Sequence, residues 1–565
     1  MLWLIASVFL FAFTGGFVNA IPKVMRTGKY LYTEDGTRFF IRGIAYQTQG
    51  LVIPGPDNPL NQPSTYVDNL ADGAACQRDL PFLQQLGVNA IRAYSANASL
   101  NHDACMEAFS KAGIYVILDL TLPLNGSIDT NLPMWSTNTL DQFLRTIDAF
   151  KKYDNVLAYN VGNEVMTPSG GSQSAPFILS AARDVKAYLN SIQSSALVGY
   201  ASIDGMPPFV DNNADFLACN HPDGHGAAID LFGLNNYEWC GDDSKTRFDS
   251  MNSRYTDYPV AAYFSEFGSL NCNPPARIWT EVPVMYSTPM TNVWSGGVAF
   301  SYFSVMSRGH DFGMAKLSSD NRSVSTNTDF NNLAKQYNAI ASTLPKTPAQ
   351  SSVSQTNLPT CPTGLNATSS GALPPTPDDD ACGCLADSLM CRFAPPKADY
   401  TVTMGNLVGV ACGLMGQMGD PTPCKDISAD GIKGVYGKVA MCDPTIRLSY
   451  VMSQYYEAAH GVPDACSFAG NATINPNGKA GTQALASKCI PSAAVFTPKP
   501  PPVLVPVSQP SQSGSGKGGG SGGGNNNGNG GGSNTNGGVS GLKLGLGVGT
   551  LGAGIGSLLL WTLTV

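Results

Sequence analysis

The sequence predicts an α/β fold: a (β/α)8 TIM barrel followed by a small disulfide-rich, mostly helical module. Three observations carry this. Eight short apolar runs alternate with amphipathic stretches between residues 21 and 345, the pattern of a parallel sheet wrapped by helices. Eight of the 14 cysteines fall between Cys382 and Cys489, a density that marks a stapled module. Between and after these blocks lie Pro-, Ser- and Gly-rich segments that cannot bury a core.

The strand-like runs are Phe39–Tyr46, Val88–Tyr94, Ile114–Leu120, Val156–Val161, Leu197–Ala201, Leu231–Tyr237, Val260–Phe264 and Gly297–Phe303. Stretches such as Ala75–Leu86, Leu140–Lys152 and Pro176–Ser191 read as helices between them. Eight such units in one continuous stretch suit a closed barrel. An open doubly wound sheet is the alternative, but no Gly-rich phosphate fingerprint follows the first strand.

The flanks are equally legible. Residues 1–20 carry no charge and end in Val18-Asn19-Ala20, a signal peptide with a cut after Ala20. Residues 346–380 read as an extended linker and 381–490 as the cysteine-rich module. Residues 491–540 form a stalk, with a proline run and then 14 Gly among residues 511–540. Residues 541–565 read as an attachment signal: a polar spacer runs through Lys543, and Leu544–Val565 after it is uncharged. Small residues before that tail are the arrangement for glycosylphosphatidylinositol (GPI) attachment, with removal of the tail. Asn536 is the favoured attachment residue, in competition with Ser533, Asn534 and Ser540; a true membrane anchor is the less favoured reading.

Composition narrows the function classes. The net charge is −8, and only 13% of residues are charged, so the chain lacks the basic surface that nucleic acid requires. With 43% apolar residues it is not a disordered chain. An even number of cysteines, all beyond the signal segment, reads as seven disulfides in a secreted protein. Sequons at Asn97, Asn125, Asn321, Asn366 and Asn471 agree with the secretory route. No metal or cofactor is implied: paired C-x-x-C units are absent, and His221 and His225 flank Pro222 and Gly224, where surface histidines are expected.

The chemistry rests on glutamate, of which there are seven against 34 aspartates. Glu164 closes the fourth apolar run and Glu266 the seventh. Strand ends at the carboxyl face of a barrel build its active site. Two carboxyls there are what glycoside hydrolysis uses, one as acid and base and the other as nucleophile.

These residues carry a family resemblance. Asn163-Glu164 and Ser265-Glu266 resemble the motifs of retaining barrel glycosidases. With Gly43-Ile44-Ala45-Tyr46-Gln47, Ile91-Arg92-Ala93-Tyr94, Leu118-Asp119-Leu120, Gly162-Asn163-Glu164-Val165, Asn236-Tyr237-Glu238-Trp239-Cys240-Gly241 and Ser265-Glu266-Phe267-Gly268, the chain resembles the fungal GPI-anchored β-1,3-glucanosyltransferases, glycoside hydrolase family 72. Cys382-Gly383-Cys384, Gly434-Val435-Tyr436-Gly437, Leu448-Ser449-Tyr450 with Tyr455-Tyr456, and Cys466-Ser467-Phe468 resemble a family 43 carbohydrate-binding module.

The resemblance implies that Glu164 is the acid/base and Glu266 the nucleophile. It implies that Tyr237 orients Glu266, that Asn163 binds a sugar 2-hydroxyl, and that Gln47, Tyr94, Asp119 and Tyr302 line the glucan groove. The implied reaction cuts an internal β-1,3 linkage and passes the new reducing end to another glucan, so β-1,3-glucan is donor and acceptor. A monomer, tethered outside the plasma membrane by a GPI lipid and acting on the cell wall, is the implied setting. A hydrolytic glucanase and a non-catalytic glucan-binding wall protein are the alternatives. The family also implies Cys76–Cys105, Cys240–Cys272 and Cys219–Cys361. Cys412–Cys424 is plausible by proximity; because eight cysteines allow on the order of a hundred connectivities, the partners of Cys382, Cys384, Cys391, Cys442, Cys466 and Cys489 stay open. Tyr436, Tyr450, Tyr455 and Tyr456 are equally readable as glucan-stacking or core residues.

Overall fold

The computed structural model describes residues 20–502 apart from 54–62, 124–125, 169–170, 222–225, 240–243, 271–275, 308, 356, 363–368, 397–399 and 493. The signal segment 1–19, the Gly-rich stalk, Asn536, Cys240, Cys272, Asn125, Asn366 and His225 therefore lie outside the described residues.

Eight parallel strands close into a barrel: β1 Ile41–Ala45, β2 Ala90–Ala93, β3 Tyr115–Asp119, β4 Val156–Asn163, β5 Leu197–Ile203, β6 Leu231–Asn235, β7 Ala261–Phe267 and β8 Trp294–Ala299, with β8 pairing back on β1. They are apolar and almost wholly buried, because helices cover the outside while strand side chains fill the inside. An N-terminal hairpin, Val24–Thr27 with Tyr30–Thr33, shares a hydrophobic cluster with Ile41, Ala90, Ile117, Leu231 and Val298 and plugs the amino-terminal mouth.

The helices are α1 Gly73–Leu86, α2 Asp103–Lys111, α3 Thr137–Phe150, α4 Ala175–Ser191, α5 Phe209–Leu217, α6 Ser244–Tyr255, α7 Glu281–Met285 and α8 Thr328–Ile340. Their apolar faces repeat at helical spacing; in α3, Leu140, Phe143, Leu144, Ile147 and Phe150 are buried. Asp72 caps α1 by accepting from the backbone N–H groups of Ala74 and Ala75 at 3.1 and 3.0 Å.

Two irregularities place the site. Between Asn160 and Asn163, β4 carries one residue more than β5, and β7 carries one more than β6 just before Glu266. Such bulges re-aim the side chains that follow. Opposite each sits a glycine that leaves room: a Cβ on Gly199 would lie 2.6 Å from Asn160 Oδ1, and one on Gly233 would lie 2.5 Å from Ser265.

The module is mostly helical, with α9 Asp379–Ser388, α10 Thr401–Gln417, α11 Thr422–Asp426, α12 Pro444–Ala458 and α13 Thr482–Cys489. A small core of Leu385, Met415, Val439, Leu448 and Val451 is bridged by Cys382–Cys442, Cys384–Cys489, Cys391–Cys466 and Cys412–Cys424. In the barrel, Cys76–Cys105 ties α1 to α2, and Cys219–Cys361 ties the segment after α5 to the linker.

The linker is not a loose tether. Its Pro374 carbonyl accepts from Arg183 Nη1 at 3.0 Å, and the Thr376 hydroxyl donates to buried Asp184 at 2.7 Å. The module follows it onto the barrel: the Tyr436 ring packs on Phe177, its hydroxyl donates to the Ala372 carbonyl at 2.8 Å, and the Thr137 N–H donates to the Met441 carbonyl at 2.9 Å.

Candidate active site

The carboxyl ends of β4 and β7 bring Glu164 and Glu266 to one face of the barrel. Glu164 follows the bulge of β4 with φ of +52°, a left-handed conformation uncommon for a side-chain-bearing residue. Its N–H donates to the Ala201 carbonyl at 2.9 Å. Its Oε1 accepts from Asn235 Nδ2 at 2.8 Å.

Glu266 is only 7% exposed, and both its oxygens are engaged. Oε1 accepts from the Tyr94 hydroxyl at 2.9 Å and from Arg92 Nη1 at 3.2 Å; Oε2 accepts from the Tyr237 hydroxyl at 2.7 Å. Burial pushes Glu266 up to about 7 against the pull of Arg92, with the negative charge of Glu164 adding to the rise and the two tyrosine hydroxyls opposing it.

Beneath them lies a buried ion pair. Arg92 donates Nε and Nη2 to Asp119 at 3.2 and 2.7 Å, and Nη2 also to Asn163 Oδ1 at 2.8 Å. Asp119 accepts in addition from Asn160 Nδ2 at 2.6 Å. Asp119 is 1% exposed, so it does not line a groove: it fixes the guanidinium that braces Asn163 and Glu266.

Gln47 is half-buried; its Oε1 accepts from the Tyr94 and Ser95 N–H groups at 3.0 and 3.3 Å, and its Nε2 donates to the Val67 carbonyl. Tyr302 is fully buried, its ring against Tyr46 and Phe303 and its hydroxyl on Asp79 at 3.2 Å. It offers no face to a sugar. The expectation failed on register: the eighth strand is Trp294–Ala299, not 297–303, which turns Tyr302 inward. The half-buried Phe300 stands in the position expected of it, edge-on to Tyr94 and Tyr237 with ring centres 6.2 and 6.1 Å away, and Phe312 extends this aromatic wall.

Arg92, Asn235, Phe300 and Phe312 had no role assigned from sequence. For the first two a signal existed, since each is a polar residue inside an otherwise apolar strand. His221 also departs from expectation: it is buried, with Nε2 3.1 Å from Cys219 Sγ. It groups with Cys219 and Cys361, but these two sulfurs are spent on a disulfide and leave no thiolate for a metal. In the module, Tyr450 is a core residue that donates to Asp426 at 2.6 Å and Tyr436 faces the barrel, whereas Tyr455 and Tyr456 stay partly exposed.

Residues 17–341 match the model of the glucanosyltransferase family, and residues 389–473 match the X8 domain. Protein EPD2 of Candida maltosa is 35% identical over 481 residues, covering 83% of each chain. The 1,3-beta-glucanosyltransferase gas1 of Schizosaccharomyces pombe is 35% identical over 466 residues, 80% of this chain and 79% of the relative. Among solved structures, Gas2p of Saccharomyces cerevisiae in complex with laminaritetraose and laminaripentaose superposes with a TM-score of 0.69 at 30% identity, covering 83% of this chain and 98% of that one.

Proposed function

The chain belongs to the glucanosyltransferase family and is a 1,3-β-glucanosyltransferase, and we propose that Glu164 and Glu266 carry out its transfer reaction. The observation that supports this most is the contrast between the two carboxyls. Glu266 has an N–H or O–H donor on each oxygen, the setting of a carboxylate that must be anionic to attack. Glu164 is held at one oxygen by Asn235, which leaves the other for proton transfer.

In the first step Glu164 protonates the departing glycosidic oxygen while Glu266 attacks the anomeric carbon. The reducing-end half leaves, and the new end stays bound to Glu266 as an ester. In the second step Glu164, now ionised, takes the proton of an incoming glucan hydroxyl, whose oxygen displaces Glu266. A sugar hydroxyl replaces water as acceptor, so the glucan is elongated rather than shortened. Arg92, Tyr94 and Tyr237 hold the nucleophile against rotation. Asn163 turns its oxygen to Arg92 and Asn235, so its NH2 is the group available to a 2-hydroxyl. Tyr94, Tyr237 and Phe300 supply ring faces beside the nucleophile.

The substrate is a β-1,3-glucan on both donor and acceptor sides, as the laminari-oligosaccharide complexes of Gas2p suggest. The setting we infer is extracellular: a monomeric glycoprotein with sugars at Asn97, Asn321 and Asn471 and at the sequons Asn125 and Asn366. It is tethered to the outer leaflet through a GPI lipid on Asn536 and acts on the cell wall. Among the described residues no helix is long and apolar enough to cross a membrane.

The test is the product spectrum from a laminari-oligosaccharide of defined length. Native enzyme yields products longer than the substrate, and Glu164→Gln and Glu266→Gln each abolish them with the fold intact. Only shorter products would indicate a hydrolase, and retained elongation in either variant would defeat the assignment.

A further inference from the structure

The side-chain amide of Asn235 lies between the two strand ends that carry Glu164 and Glu266, and its neighbours fix which way it faces. Arg92 Nη1 approaches one of its atoms at 3.5 Å. A guanidinium only donates, so that atom is Oδ1. The Ser265 hydroxyl donates to the same oxygen at 2.7 Å. The NH2 therefore faces the opposite way, where it donates to Glu164 Oε1 at 2.8 Å and to Asn163 Oδ1 at 3.1 Å. Asn235 is 4% and Ser265 0% exposed, so water does not compete for these groups. Gly233 makes the space in which the Ser265 side chain sits.

A carboxylic acid carries its proton on one oxygen. An oxygen that already accepts an N–H is the poorer place for it, because the O–H oxygen of a carboxylic acid is a weaker acceptor than the carbonyl oxygen. We propose that Ser265 and Asn235 form a positioning pair that confines the transferable proton of Glu164 to Oε2. The pair thereby makes Oε2 both the donor to the departing sugar and the acceptor from the incoming one. In the first step the O–H bond at Oε2 breaks and its proton goes to the glycosidic oxygen. The bond from that oxygen to the anomeric carbon breaks as Glu266 bonds to the carbon. In the second, the proton of the acceptor hydroxyl passes to Oε2 while its oxygen takes the anomeric carbon from Glu266. Neither Ser265 nor Asn235 exchanges a proton with substrate; both act through Glu164. The inference rests on Glu164 being the acid/base.

The test uses the full chain carrying Asn235→Ala or Ser265→Ala, with two donors: a laminari-oligosaccharide, and a laminari-oligosaccharide bearing a dinitrophenyl group, which departs without a proton. For the natural donor, Asn235→Ala should lower kcat about tenfold or more, the effect of one lost orienting hydrogen bond on the barrier. Ser265→Ala should lower it less, and KM should change by no more than about twofold in both. The burst of dinitrophenolate, which reports the first step alone, should stay within about threefold of native. An equal loss on both donors, or a natural-donor kcat retained in Asn235→Ala, overturns the proposal. If Asn235→Ala does not fold, Ser265→Ala decides by the same comparison. Glu164→Gln separates the two levels: elongation retained in that variant defeats the acid/base assignment itself. Elongation lost there but running at the native kcat in both Asn235→Ala and Ser265→Ala defeats only the positioning pair.

Discussion

The Tyr237 hydroxyl donates to Glu266 Oε2 at 2.7 Å, linking the loop after β6 to the end of β7. This bond and its counterpart from Tyr94 at 2.9 Å offset part of the burial that raises Glu266 to about 7. A phenol donating to a carboxylate is worth roughly 1.5–3 kcal/mol. Tyr237→Phe should therefore cost about ten- to a hundredfold in kcat/KM. It should also move the acid limb of the pH profile upward, since a donor that favours the ionised nucleophile is gone. A pH–rate series on native and variant enzyme checks both.

Phe300 and Tyr302 should separate binding from stability. Phe300→Ala removes a half-buried ring beside Tyr94 and Tyr237, so KM for laminari-oligosaccharides should rise several-fold at little cost in Tm. Tyr302→Phe removes the hydroxyl on buried Asp79, at about 1–2 kcal/mol of stability with KM unchanged. Thermal melts alongside Michaelis–Menten kinetics read out the pair.

The fold should be more stable in mild acid than at neutral pH. Glu266 and Glu281 are pushed up to about 7 by burial, and Asp204 to about 6. Unfolded, these groups lose their protons near 4, so between there and 7 the native state holds more protons. Stability is then fully present below the unfolded values and falls as pH rises toward 7. Tm measured from pH 5 to 8 should decline, and Glu281→Gln should flatten the slope.

The linker should act as a strap. Cys219–Cys361 closes a loop across a sequence separation of 142, and its removal in the Cys219→Ser/Cys361→Ser double variant should cost about 2–5 kcal/mol. Because the bond lies away from Glu164 and Glu266, kcat at low temperature should stay near native. Denaturant unfolding with a parallel transfer assay tests this.

Much of the fold was legible because a buried parallel strand is written as a short apolar run whatever surrounds it. The two glutamates stood out for the same reason, as rare charges at the ends of such runs. Strand limits were less legible. A run such as Gly297–Phe303 is apolar on both sides of the true end at Ala299, so hydrophobicity alone could not say that Tyr302 had left the sheet. The resemblance implied a groove role for Asp119, and in sequence a strand-end carboxylate that meets a ligand looks the same as one that pairs with an arginine. Only the bidentate contact from Arg92, 27 residues earlier, places it beneath the site. The docking of the linker was not legible either: proline and threonine argue for an extended chain but say nothing of the Asp184 and Arg183 contacts that hold Thr376 and Pro374.

The central claim is that Glu266 forms the covalent bond to sugar, and a trapped adduct tests it most directly. Native enzyme incubated with a fluorinated laminari-oligosaccharyl fluoride, then digested and mapped by mass spectrometry, should gain the mass of one whole fluorinated oligosaccharyl group, the reagent less its leaving fluoride, on the peptide that contains Glu266. Glu266→Gln should gain none. An adduct on any other residue, or turnover of the reagent by the Glu266→Gln variant, would contradict the account.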